Sequence, residues 1–447
     1  LKQKQFCLFK ERSHLNFKKF LFHPQIAAGI AAAGYSTPTP IQTQAIPKVM
    51  QGRDLMGLAQ TGTGKTAVFV LPILHRLLHG QRGHVRALIM APTRELAEQI
   101  HEAVEVLGSK TGLRSVTVYG GVGIQRQIQL LKRADIVVAC PGRLLDHIGR
   151  RTVDLTHVGM LVLDEADQMF DMGFLPDIRR ILACLPKSNR QTLLFSATMP
   201  GQIRRLADEV LKNPIREQVG QDAPAETVSH AFYPVARHLK TALLLGLLGK
   251  TSTDAVLVFT RTKHRAKQLG GKLARAGYRS TSLQGNLSQS RRRDAMNGFK
   301  SGKYQVLVAT DIAARGIDVS NISHVINYDM PATPDIYIHR IGRTGRAENS
   351  GQAYTLITDE DTQMVKAIHG LIGAPVERRT LMDFNYHAPM AKTSGRPKPN
   401  GVKPLPGSRR RPQGGRRKQN SRAAKGAFAW LSPQKSRECG GRAESSV

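Results

Sequence analysis

The segment AQTGTGKT at residues 59–66 holds the residue types that bind a polyphosphate. Gly62 and Gly64 leave the backbone free to curl so that its N–H groups face phosphate oxygens, and Lys65 sets a cation against the β and γ oxygens. The Thr66 hydroxyl would ligate magnesium. Gln60, Thr61, Gly62, Thr63 and Gly64 make up the loop, and Ala59 stands where the bare pattern has its first glycine. Further along, LVLDEAD at 161–167 ends an apolar run in acid. Asp164 can hold magnesium through water, and Glu165 is placed to orient and deprotonate an attacking water. HRIGRTGR at 339–346 spaces three arginines with two glycines. On an irregular turn that pattern suits oxyanions, because guanidinium forks match phosphate geometry and glycine admits close approach.

These segments need a parallel sheet to position them. Short apolar runs alternate with helical stretches, which marks βαβ units. Strands are predicted at 54–59, 87–91, 135–139, 160–164 and 192–196, then at 255–260, 280–284, 306–310, 324–328 and 353–357. Between the two series, NPIREQVGQDAPAET at 213–227 loses periodicity and reads as a linker. The phosphate loop follows a strand and precedes a helix-compatible run. Asp164 ends another strand, at the carboxyl edge where nucleotides bind in such sheets. From about residue 391 the chain is rich in Pro, Gly, Arg and Lys and poor in apolar residues, so a basic disordered tail is expected. Within it, GAFAWLS at 426–432 holds Trp430, a candidate docking peptide.

Composition narrows the partner. The 447 residues carry a formal net charge of +33, which favours a polyanion, nucleic acid before membrane. Aromatics are 5% of the chain, so contacts to backbone phosphates are a better expectation than rows of stacking rings. Cys7, Cys140, Cys184 and Cys439 form no CxxC pair, which argues against a zinc knuckle of the usual spacing and for a reducing compartment. No apolar run reaches the roughly 18 residues of a membrane span. The first seventeen residues break their apolar positions with charges, and they begin with Leu. A cytoplasmic protein with no membrane contact is expected.

The order of motifs resembles the DEAD-box family of RNA-dependent ATPases, superfamily 2 helicases. The resemblance spans residues from about 16 to 385 and rests on GYSTPTPIQ (34–42), the phosphate loop, PTREL (92–96), GG (120–121), PGR (141–143), DEAD (164–167) and SAT (196–198). It continues through VFTRTK (258–263), QGNLSQSRR (284–292), ATDIAARGID (309–318) and HRIGRTGR. Within the family the chain looks most like the bacterial RhlE type, which often carries a basic tail. The resemblance implies two tandem RecA-like α/β domains: an N-terminal extension at 1–15, an ATP-binding domain with a Q motif at 16–215, a linker at 216–227, a helicase C-terminal domain at 228–388, and the tail at 389–447.

It also implies roles for single residues. Gln42 would bond the adenine edge and Phe17 would stack on the ring. Asp318 would reach the ribose and Arg315 the phosphates. Arg343 and Arg346 would act as fingers that stabilise charge in the transition state. Asp167, Ser196, Thr198 and His339 would couple the nucleotide site to the RNA-facing surface. RNA would be gripped by its backbone at Thr93, Arg94, Gly121, Gly142 and Arg143, then at Arg261, Gly285, Gln289, Arg292 and Thr310. Cys140 stands where the family commonly has Thr. Such contacts give affinity with little reading of bases. The function implied is ATP hydrolysis, with ATP and Mg2+ bound, coupled to local separation of RNA duplexes. Ribosomal precursors or RNA decay machinery are partners of the expected kind. An ATP-gated RNA clamp or scaffold is the alternative.

Overall fold

The structure, a computed structural model, describes residues 16–59, 62–219, 228–251, 255–314, 322–345 and 351–389. Among them, seven strands form a first sheet in the order β3-β4-β2-β5-β6-β1-β7. They are β1 Leu55–Ala59, β2 Ala87–Met90, β3 Ser115–Val118, β4 Ile136–Ala139, β5 Met160–Leu163, β6 Gln191–Ser196 and β7 Ile215–Val219. A second sheet has the order β10-β11-β9-β12-β13-β8-β14. Its strands are β8 Val228–Pro234, β9 Val256–Phe259, β10 Ser280–Leu283, β11 Val306–Ala309, β12 His324–Asn327, β13 Gly351–Ile357 and β14 Glu377–Arg378. Every pairing is parallel. The tandem α/β architecture expected from the sequence is the one the chain adopts.

The central strands are short, continuous apolar runs because helices cover both sheet faces. ALIM, IVVA and MLVL of β2, β4 and β5 are buried at every position. One face of the first sheet packs Phe69 against Phe195, with ring centroids 5.5 Å apart. The other packs Met169, Ile203 and Leu206. Val256, Val258 and Leu243 on one side of the second sheet, and Leu257, Leu307 and Tyr337 on the other, do the same there.

The linker expected at 213–227 is corrected by β7, which occupies Ile215–Val219 and pairs in parallel with β1. Its sequence, IREQV, places three polar residues in a row between Ile215 and Val219 at the sheet margin, and so lacks the apolar run of a central strand. Residues 220–227 lie outside the described part. The marginal or partly exposed strands β3, β8 and β14 were likewise absent from the predicted set.

Candidate nucleotide site and nucleic-acid interface

β1 delivers the chain to the phosphate loop, and the helix Lys65–Leu77 leaves it with Gly64 as N-cap at φ 91°. A Cβ on Gly64 would sit 2.6 Å from Gln42 Nε2 and 3.0 Å from Thr39 Oγ1, so backbone and neighbours both require glycine. Gln42 is tied at both ends. Its Oε1 accepts from the Thr39 N–H at 2.9 Å and its Nε2 donates to the Gly64 carbonyl at 3.1 Å. The residue expected at the adenine edge therefore also shapes the loop. Lys65 is buried, and its Nζ donates to the Ala59 carbonyl at 2.7 Å, across the loop. Thr63 and Thr66 are half-buried beside it, and Gly62 is exposed. Gln60 and Thr61 lie outside the described residues. Phe17 is 7% exposed and packs its ring against Phe20 and Tyr35 at 5.8 and 5.9 Å. Core packing accounts for much of its surface.

The acidic pair sits where β5 ends. Asp164 is fully enclosed, and burial pushes its carboxyl up to about 7, partly offset by the nearby Lys65 cation. A carboxylate so poor in solvent gains most from a second cation beside it. Its Oδ1 accepts from the Glu165 N–H at 3.0 Å. Glu165 takes a left-handed backbone, φ 53° and ψ 52°, at the start of the helix Ala166–Asp171. For a non-glycine residue that costs about 1–3 kcal/mol, a strain that concentrates at working sites.

One turn on, Asp167 gathers the expected coupling set. Its Oδ2 accepts from the N–H groups of Ala197 and Thr198 at 3.1 and 2.9 Å and from the Thr198 hydroxyl at 3.1 Å. The Ser196 hydroxyl accepts from the Asp167 N–H and donates to the Thr198 carbonyl at 2.6 Å. From the second sheet's side, His339 Nε2 stands 3.7 Å from the same Asp167 oxygen. All four residues of that expected set meet.

HRIGRTGR is not a loop throughout. His339, Arg340 and Ile341 end the helix Pro334–Ile341, and the turn begins at Gly342. Arg340 is a structural arginine. Its Nε and Nη2 form a fork on Asp311 at 2.5 and 2.8 Å, and its Nη1 donates to Asn327 Oδ1 and the Asp329 carbonyl. The guanidinium also lies over the Phe259 ring, 4.9 Å from its centroid. Arg343 is buried and lines a small cavity with Gln168 from the first sheet's side and His339. Arg346, Arg315 and Asp318 lie outside the described residues.

The residues expected to touch RNA follow one topological rule. Thr93 and Arg94 follow β2, Gly121 follows β3, and Gly142 and Arg143 follow β4, which are the three neighbouring strands at one side of the first sheet. Arg261 follows β9, Gly285, Gln289 and Arg292 follow β10, and Thr310 follows β11, the equivalent three in the second sheet. Gly121 has φ 79°, and a Cβ there would lie 2.3 Å from Arg94 Nη1, so its bare backbone seats that guanidinium. Arg143 donates to the Val122 carbonyl and to Gln127 Oε1, both at 3.1 Å. The Thr93 hydroxyl accepts from the Leu96 N–H and caps the helix Arg94–Leu107. Arg261 and Gly285 are exposed, whereas Gln289 and Thr310 are half-buried. Arg292 is engaged by protein: its Nε donates to Glu95 Oε1 at 2.7 Å, bridging the two sheets' carboxyl edges. Glu95, Gln127, Gln168 and Asp311 were missed from sequence. Each is an ordinary polar residue beside a motif, and only the tertiary partner gives it a task.

Comparison with known proteins identifies the family and the fold. Residues 39–206 match the family described as DEAD/DEAH box helicase, and residues 239–348 match the helicase conserved C-terminal domain. The DEAD-box ATP-dependent RNA helicase RhpA of Helicobacter pylori is 45% identical over 362 residues, 80% of this chain and 73% of that protein. CshA of Bacillus subtilis, a DEAD-box ATP-dependent RNA helicase, is 44% identical over 358 residues, 79% of this chain and 72% of its own. Among solved structures, S. cerevisiae Dbp5 bound to RNA and ADP BeF3 superposes with a TM-score of 0.75 at 31% identity, covering 82% of this chain and 96% of that one. The two sheets are thus tandem RecA-like domains, and the chain belongs to the family of DEAD-box ATP-dependent RNA helicases.

Proposed function

We propose that the chain couples RNA-stimulated ATP hydrolysis to local separation of RNA duplexes or remodelling of RNA–protein complexes. The observation that carries this reading is the meeting of Asp167, Ser196, Thr198 and His339 between the phosphate loop and the carboxyl ends of β2, β3 and β4. Lys65 and the loop N–H groups would bind the triphosphate, Gln42 and Phe17 the adenine, and Asp318 and Arg315 the ribose and phosphates. Thr66 and the solvent-starved Asp164 suit Mg2+, which supplies charge neutralisation of the phosphate oxygens when bound. Glu165 takes the proton of the attacking water, and Arg343 with Arg346 stabilises the charge that develops on the γ-phosphoryl group. RNA held across both domains favours their closure, because a ligand with contacts on both halves prefers the closed state.

RNA is preferred to DNA on the strength of the relatives' names, and backbone contacts imply little sequence choice. ATPase stimulated by RNA and not by DNA of the same sequence is the decisive measurement; equal stimulation would sink the RNA assignment. Displacement of a short RNA duplex, dependent on ATP, separates the helicase from an ATP-gated clamp. A cytoplasmic location fits the free thiols Cys140 and Cys184, and among the described residues no helix is long and apolar enough to cross a membrane. Ribosomal precursors and RNA decay machinery are the proposed settings. The RhlE-type affinity rests on the motifs and the basic tail; the relatives above carry the names RhpA and CshA.

A further inference from the structure

At the opposite, amino-terminal edge of the first sheet lies a cleft of about 650 Å³, within the range of small-ligand sites. It opens where β1, β5 and β6 begin, the far side of the sheet from the phosphate loop. Arg53, Arg76, Arg190 and Lys212 converge on it from four separate segments. Asp54, the carboxylate among the lining residues, is spent on backbone: its oxygens accept from the N–H groups of Thr192 and Lys212 at 2.8 and 2.7 Å.

The four cations are held by neutral acceptors. Arg76 Nη1 donates to Gln191 Oε1, and Arg190 Nε and Nη1 donate to the Thr192 hydroxyl and the Pro186 carbonyl. Arg53 Nη2 donates to the Asn213 carbonyl and Lys212 Nζ to the Lys187 carbonyl. These bonds orient the groups without neutralising them; Asp54 partly offsets Arg190, and four cations against that one carboxylate leave the lining net positive. Gln191, itself buried, donates to the Val49 and Arg53 carbonyls and so fixes the amide that aims Arg76. The helices Pro40–Met50 and Lys65–Leu77 end near the cleft, and their carbonyl ends attract cations. That explains one basic residue per helix end. It leaves the convergence of four unexplained.

We propose that this cleft is a second oxyanion site that takes phosphoryl groups, distinct from the nucleotide loop. Two forks, Arg76 and Arg190, suit phosphate oxygens bidentately, while Arg53 and Lys212 at the rim add charge. The phosphoryl group comes either from a backbone phosphate of RNA reaching round the domain or from a small polyphosphate.

The test uses the full chain in two arms. In a Lys65→Ala background, which disables the nucleotide loop, calorimetry with sodium tripolyphosphate compares the chain with and without Arg76→Gln/Arg190→Gln. The expected result is a loss of affinity of about tenfold or more, as for bidentate charged pairs. In the second arm, RNA affinity is measured against salt for wild type and Arg76→Gln/Arg190→Gln. If the source is RNA, the slope of log K on log salt shallows by about 0.7 per lost phosphate contact on a single strand. Weaker tripolyphosphate binding with an unchanged RNA slope assigns the site to a small phosphorylated ligand. Unchanged tripolyphosphate affinity together with an unchanged slope overturns the proposal. Should the double variant melt early, Arg53→Ala/Lys212→Ala, at the exposed rim, reads the same two arms.

Discussion

The two sheets have the same strand order, so each element of one has a counterpart in the other, and the contrast is sharpest after the first strand. Behind β1 the chain bends through Gly62 and Gly64, both at positive φ, before the helix that starts at Lys65. Behind β8 it runs through Val235 and Ala236 into a short 3-10 turn, and the next helix starts at Lys240. Both lysines open a helix and both are buried. Lys65 donates to the Ala59 carbonyl, which a competing phosphate can replace. Lys240 Nζ is fixed between the carbonyls of Tyr328 and Leu356 at 3.2 and 2.8 Å, and burial lowers its pKa. The acidic ends differ in the same sense. Asp164 after β5 is enclosed with the Lys65 cation only partly offsetting its burial, whereas Asp329 after β12 accepts from the Arg261 N–H and the Arg265 guanidinium. One frame thus gives a ligand site where glycine keeps the backbone open, and a structural plug where it does not. At the nucleotide site, the proposed contribution of the second domain is to supply side chains to the first.

If that division of labour holds, the greatest effect should come from Arg343, which the second domain lends to the first. Arg343→Ala is expected to lower single-turnover hydrolysis at saturating ATP and RNA by about 10³–10⁵, equivalent to about 4–7 kcal/mol of transition-state stabilisation. Arg343→Lys should not rescue, because a point charge lacks the planar fork. Hydrolysis within a fewfold of wild type would leave Arg343 a structural residue like Arg340. Glu165→Gln comes next: ATP and RNA still bind, while turnover falls by about 10²–10⁴ since the amide cannot take a proton. Near-normal steady-state ATPase would refute the base.

The lysine pair tests the comparison directly. Lys65→Ala should abolish measurable ATP binding with little change in melting temperature. Lys240→Met should leave ATP affinity intact and destabilise the fold by about 1–3 kcal/mol, the cost of leaving buried carbonyls unpaired. Urea melts and nucleotide titrations of both variants read the two effects. A shared phenotype would break the division between site and plug.

How much of this was legible in sequence follows from where information sits. Central strands buried on both faces are written as apolar runs, and β2, β4, β5, β9 and β11 were all expected to within a residue or two. Strands at the sheet margins are half-solvated, and IREQV of β7 passed for a linker. The site divides in the same way. Gly64, Lys65 and Asp164 are constrained by backbone geometry and charge that no substitute provides, so their motif is readable. Arg340 and Arg343 lie in one motif and have the same side chain. Asp311, Asn327 and Phe259, distant in sequence, make one of them a structural post, and no local pattern contains that fact.

The smallest effect concerns the counterpart positions Cys140 and Thr310, which follow the equivalent strands β4 and β11. Cys140 is the N-cap of the helix Pro141–Gly149, in the extended conformation a cap needs, yet its side chain makes no capping bond. At Thr93, which follows the adjacent strand β2, a hydroxyl does cap its helix. The Cys140 thiol is also pushed up to about 12, chiefly by burial and then by Glu95, with Arg94 opposing. A raised thiol pKa disfavours the thiolate, so at pH 8 Cys140 carries far less of it than an ordinary exposed cysteine does. Iodoacetamide at that pH should therefore label the exposed Cys184 well before Cys140, as mapped by mass spectrometry. Cys140→Thr should add a cap worth about 0.5–1 kcal/mol in a urea melt. Gly142 and Arg143 are unaltered by it, so RNA affinity should move by no more than about tenfold, the order set by one neutral hydrogen bond. A stability gain without any capping of the helix, seen as unchanged amide exchange at Gly142 and Arg143, would place the benefit in packing and leave the counterpart positions unlike in kind.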